Sequence, residues 1–268
     1  MSIPNRTNSE PPKNNQSING SSTETLDADW KGIYRIGGVA ALMQFTCTLI
    51  IIIVTSTLGL KPISAHEYFT LLESNKIVGL LRDDFLSLII IALYLLTFFA
   101  LYGALRRDNC VYAALATVLT FVAVTCSFAS HSGFSIVHLS EQYAAASTDA
   151  VRSQLLAAGE AIIASDMWNS TAGFMAGILL QGAGVLISVV MLRGRTFSKV
   201  TAYAGILANG FDLAQHLIHP LLRSIASILL MIAGPFYLLW FPLLSRDLFK
   251  LGRLEKKVTV EKQRATLP

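Results

Sequence analysis

The stretch AYAGILANGFDLAQHLIHP, residues 202–220, decides how this chain is read. It is long and apolar enough to lie in a bilayer, yet it carries Asn209, Asp212, Gln215, His216 and His219. At ~100° per residue, Asp212, His216 and His219 fall within roughly 60° of one another and share one helical face. A carboxylate among hydrocarbon tails costs at least ~2.5 kcal/mol on the gentlest scale. The face is therefore expected to look into protein or onto water, with the other apolar runs packed around it.

Those runs are plain. The chain has 268 residues, 53% hydrophobic and only 14% charged, which is too apolar for an ordinary soluble domain. Stretches with no Lys, Arg, Asp or Glu cover 36–60, 85–105, 110–140, 167–192 and 224–245, and 200–222 has Asp212 alone. Each reaches the ~20 residues that cross ~30 Å of hydrocarbon as a helix. A membrane barrel would show short alternating segments, and these runs are continuous. The expectation is an all-α integral membrane protein of six transmembrane helices, spanning about 36–60, 85–105, 110–138, 167–192, 200–222 and 224–245.

The net charge of +4 suits membrane orientation and calls for no nucleic-acid partner. With six crossings both termini share a side. Of the 21 basic residues, only Lys61, Lys76, Arg82, Arg152 and Arg223 fall opposite them. The positive-inside rule then places both termini in the cytoplasm. Residues 1–30, rich in Asn, Ser, Thr and Pro, read as a disordered tail, and 253–268 as a charged one. They flank a membrane domain over 31–252. Cys47, Cys110 and Cys126 suggest no disulfide.

The connections carry signals too. Ser64-Ala65-His66-Glu67 has capping-box spacing and precedes Tyr68, Phe69, Leu71 and Leu72, so a short amphipathic helix is expected on the outer surface. A second should start at Ser147-Thr148-Asp149, with Val151, Leu155, Ala158 and Ile162 opposed to Ser153 and Glu160. Arg82, Asp83 and Asp84 stand at the outer mouth of the second span, as a mutual ion pair or as a gate. The run over 110–140 is too long for one crossing and should bend at Gly133. Gly234-Pro235 and Pro242 should kink the last span, with Trp240 near the inner interface.

The phrases NKIVGLLRDDFLSL (75–88), QYAAASTDAVRSQLLAAGEAIIAS (142–165), ISVVMLRGRTFSKVTAYAGILAN (187–209) and LLSRDLFKLG (243–252) resemble microbial membrane proteins grouped as domain of unknown function 4386. The resemblance covers roughly residues 30–252. It implies a multi-pass protein of bacterial or archaeal plasma membranes and brings no catalytic residues.

The candidate site comes from the residues alone. Ser127 and His131 on the third span and Asn209, Asp212, Gln215, His216 and His219 on the fifth form an outward-facing polar set. At ~1.5 Å per residue, His131, His216 and His219 reach similar heights. If those two helices are neighbours, the three imidazoles suit zinc, which would activate water for lipid hydrolysis beside Asp212. The other readings are a small-molecule, ion or proton site built on Asp212, or simple polar packing.

Overall fold

A computed structural model describes residues 16–83, 85–167 and 169–265, with side chains described only between 30 and 253. Among them the chain is all-helical: α1 (Gln16–Leu58), α2 (Ala65–Ser74), α3 (Lys76–Arg82), α4 (Phe85–Ser130), α5 (Gly133–Ala145), α6 (Asp149–Ala164), α7 (Thr171–Arg193), α8 (Lys199–Ile218) and α9 (Arg223–Ala265). Four helical stretches, Trp30–Leu58, Phe85–Ala145, Thr171–Arg193 and Arg223–Arg253, are long and apolar enough to cross a membrane. The polar residues of α8 keep it out of that set.

α4 is two helices in one. Asn109 leaves helical geometry at φ −157° and ψ 94°, and its side-chain Oδ1 accepts from Tyr112 N at 3.2 Å, capping the second half. In one straight helix, residues 98 and 117 would stand ~28 Å apart. Instead Thr117 Oγ1 donates to the Phe98 carbonyl at 3.4 Å, so the halves fold back on each other. The expected bend in the long third run also exists, at His131-Ser132, immediately ahead of Gly133. There the Gly133 amide donates to His131 Nδ1 at 3.2 Å. A Cβ on Gly133 would meet both His131 and Asp83.

The long helices close a ring in which α1 packs on α4, α4 on α7, α7 on α8, α8 on α9, and α9 on α1. Its centre holds Phe98, Leu101, Leu105, Ile187, Met191, Trp240, Leu244 and Leu248. Trp240, expected near an interface, is fully buried, ringed by Tyr237 and Phe241. At the end where α8 begins, the buried Asp247 of α9 accepts from Thr201 Oγ1 (2.6 Å) and Ser198 N (3.2 Å), and Ser245 Oγ donates to the Gly38 carbonyl (2.8 Å). These bonds stitch α1, α8 and α9 together there.

The opposite end carries a cap of short helices. Ser64 caps α2 as expected, accepting from Glu67 N at 3.3 Å, and Glu67 Oε2 accepts from Ile63 N at 3.3 Å. Ala65, Tyr68, Phe69 and Leu72 bury a face against Ile136 of α5, with Leu156, Ile162 and Ile163 of α6 packed alongside. Glu160 of α6 does more than face water: its Oε1 accepts from the Ala65 amide at 2.7 Å, at the start of α2. Val151, placed on the apolar face by its spacing, is 43% exposed, because the inward face runs through Leu155, Leu156 and Gly159 instead.

Other sequence expectations shift. α1 begins at Gln16, so residues 16–29 continue the first helix where a disordered tail was expected. α9 likewise runs on to Ala265, through the charged tail. Elongating an existing helix avoids the nucleation cost that keeps short polar helices from forming alone. Asp84 and residues 1–15 lie outside the described residues. Arg82 donates to the Leu60 carbonyl and sits 3.7 Å from Glu67, while Asp83 pairs with Lys61 at 3.3 Å. Cys47, Cys110 and Cys126 are all free thiols.

Candidate functional site: a donor-poor polar cluster beneath a cavity

α7 and α8 approach each other through glycines. A Cβ on Gly177 would overlap the His216 ring, one on Gly184 would overlap the Asn209 amide, and one on Gly205 would overlap Ser188. Each step along α7 is matched by an equal step back along α8, the signature of an antiparallel pair in fixed register. One member of each layer lacks a side chain and the other supplies a polar one. The small-residue pattern thus does more than draw backbones together: it makes room for the polar side chains of α8 inside the bundle.

Those side chains meet Tyr237 of α9 and Gln181 of α7. The Tyr237 hydroxyl lies 2.9 Å from Asp212 Oδ2, 2.7 Å from Gln181 Oε1 and 3.4 Å from Asn209 Oδ1. A phenol has one hydrogen, so three acceptors compete for it. Asn209, fully buried, spends its amide on the Gly205 carbonyl at 2.8 Å. His216 Nδ1 donates to the Asp212 carbonyl at 2.9 Å. The same Nδ1 lies 3.2 Å from Asp212 Oδ1, close but not aligned for a hydrogen bond. Asp212 Oδ1 and Gln215 Oε1 are both buried without a hydrogen-bond donor.

Above this cluster lies a cavity of about 790 Å³. Asp212, Gln215, His216, His219 and Ser127 all line it, and Asn209 sits just below. Tyr94, Tyr237 and Phe241 form an aromatic side, with ring centroids 5.5 Å apart for Tyr237–Phe241 and 6.1 Å for Tyr94–Phe241. Ile51 and Ile52 of α1 and Leu230 of α9 supply apolar wall, so the cavity reaches the seam between α1 and α9. Asn169 and Ser170 edge it from the α6–α7 connection, Thr171 from the start of α7 and Arg223 from the start of α9. The size is that of a small-molecule site.

His131 is not part of it. α7 packs against both α4 and α8, and α4 has no comparable interface with α8, so equal height does not bring His131 to His216 and His219. His131 lies by Asp83 and Gly133 at the base of the cap, its Nε2 buried without a partner. Among the described residues no three His, Cys, Asp or Glu side chains are grouped to hold a metal ion. Asp83, expected at the mouth of the second span, belongs to the cap as well: Lys61 bridges Asp83 (3.3 Å) and Asp166 (2.7 Å), Tyr68 donates to Asp83 (2.7 Å), and Ser132 donates to Asp166 (2.9 Å). Burial would raise the Asp166 carboxyl, but the Lys61 ammonium outweighs it and holds it below the usual carboxylate value.

Gln181, Tyr94 and Tyr237 are functional candidates that sequence reasoning passed over. Gln181 had a signal, being a lone amide in an apolar run. The tyrosines did not, since each counts as apolar in a hydropathy window. Replacing Tyr237 by phenylalanine removes the shared hydrogen while keeping the ring. Losing it strands a further buried acceptor, so a loss of ~1–3 kcal/mol in thermal unfolding is expected.

Compared with family models, curated proteins and solved structures, the chain finds no match.

Proposed function

We propose that this chain is a six-span membrane protein whose cavity takes up a small molecule or ion, with Asp212 as its buried ionisable group. Phe85–Ala145 supplies two crossings because it folds back at Asn109, and α8 supplies the sixth, its polar side turned to the cavity. The basic residues gathered near the Asp247 end support a cytoplasmic location for both tails, so the cap and cavity face outward. α2 and α6 then rest on the outer surface. Membership in the group of domain of unknown function 4386, in a microbial plasma membrane, is proposed on the four phrases alone.

The observation that carries the binding reading is the shortage of donors on the cavity floor. Polar packing for its own sake satisfies its members, since an unpaired buried acceptor costs ~1–3 kcal/mol. A zinc hydrolase draws no support here, with His131 outside the cavity. Two labelling experiments test the proposal. The exposed Cys110 beside Asn109 should react with an impermeant maleimide only after cells are permeabilised, and a cysteine placed at Ser74 should react in intact cells. In a background without native cysteines, Ser127→Cys and His219→Cys should react with a small methanethiosulfonate added outside. Silence at both positions rejects an outward-open cavity.

A further inference from the structure

We propose that the cavity ligand is an organic ammonium ion with an apolar or aromatic body, its N–H groups bound by Asp212 and Gln215. The inference rests on the binding role proposed above and specifies the chemical class of the ligand.

The floor asks for hydrogens. Asp212 Oδ1 and Gln215 Oε1 are buried acceptors without donors, on residues only 6% and 3% exposed, and both line the cavity. An ionised carboxylate only accepts, and an ammonium group only donates. Their pairing is a charge-assisted hydrogen bond, about twice as strong as a neutral one. Tyr237 lies 2.9 Å from the other carboxylate oxygen, with Tyr94 and Phe241 beside it, and aromatic faces attract cations further. The Ile51, Ile52 and Leu230 walls suit a hydrocarbon body.

His216 lines the cavity with its Nδ1 3.2 Å from Asp212 Oδ1, but that nitrogen is hydrogen-bonded to the Asp212 carbonyl. Arg223 and His219 line it too, and they would favour an anion. They lie further out than Asp212: His219 is seven residues along, ~10 Å by helical rise, and Arg223 follows the turn after Pro220. An anion drawn to them would leave the floor acceptors unpaired and would meet the Asp212 charge if it went deeper. A water-filled floor could supply hydrogens but would gain nothing from the aromatic side.

The test compares 4-phenylbutylamine, 4-phenylbutanol and 4-phenylbutyrate, which share a body and differ in the head group. Calorimetric titration into the full chain in lipid nanodiscs should show one saturable amine site. The alcohol should bind about tenfold more weakly or worse, as fits loss of one charged hydrogen bond. Asp212→Asn should remove that advantage, and a monodisperse gel-filtration profile matching the wild type shows that the variant is folded. Gln215→Leu should weaken the amine more than the alcohol. Equal affinities, a preference for the carboxylate, or an amine advantage surviving Asp212→Asn would overturn the ammonium assignment while leaving a binding cavity in place. No saturable binding of any of the three would remove both.

Discussion

Gly177→Leu is expected to lower the thermal stability of the purified protein sharply. The His216 ring occupies the space a Cβ would need, and neither helix can turn aside without disturbing the next layer at Gly184 and Asn209. Overpacking typically costs ~1–3 kcal/mol, and a full leucine in contact with a ring should reach the top of that range. Gly182→Leu is the control, because a Cβ there meets nothing within 4 Å. His216→Ala should restore part of the loss in the double variant, as contact between the two predicts non-additivity. Equal melting temperatures for the Gly177 and Gly182 variants would show that the proposed interlock is absent.

Lys61→Met should loosen the cap. The substitution leaves Asp83 and Asp166, both buried, facing each other without the ammonium between them. Breaking a buried pair costs ~3–5 kcal/mol, and the lower end applies because Lys61 is partly exposed. Faster hydrogen exchange across α2 and the α6–α7 connection is the readout, with α7 unaffected. The wild type should follow the same course in acid. Asp166 has its folded value depressed, so its contribution is complete above the unfolded carboxylate range and is lost as pH falls through the folded value. An exchange rate over α2 that ignores both the substitution and acidification would refute this role for Lys61.

Local signals were readable and distant partners were not. Ser64 and Glu67 announced the start of α2, because a capping box is written within four residues. Glu160 was correctly placed on a polar face, but its bond to the Ala65 amide joins residues 95 apart, which no local pattern records. Residue counting fixed the height of His131 yet said nothing of its neighbours, and α7 stands between the helices that would have had to meet. The cluster around Asp212 was half visible: α8 displayed its own polar residues, while Tyr237 and Gln181 come from helices that read as apolar. The resembling phrases fall mostly on structural joints. Asn75 caps α3, Gly159 lies against Ala65 and Phe69, and Ser198, Thr201 and Asp247 lock α8 to α9.

The interlock of α7 with α8 also sets the grammar of change in this protein. In each layer, bulk on one helix answers a vacancy on the other, at 177 with 216, 184 with 209, and 188 with 205. Tolerance therefore belongs to couples, not to positions. Moving the amide across, by Gly184→Asn together with Asn209→Gly, should be easier to accommodate than Gly184→Asn alone. The exchange would carry the polar contact of Tyr237 to the opposite wall.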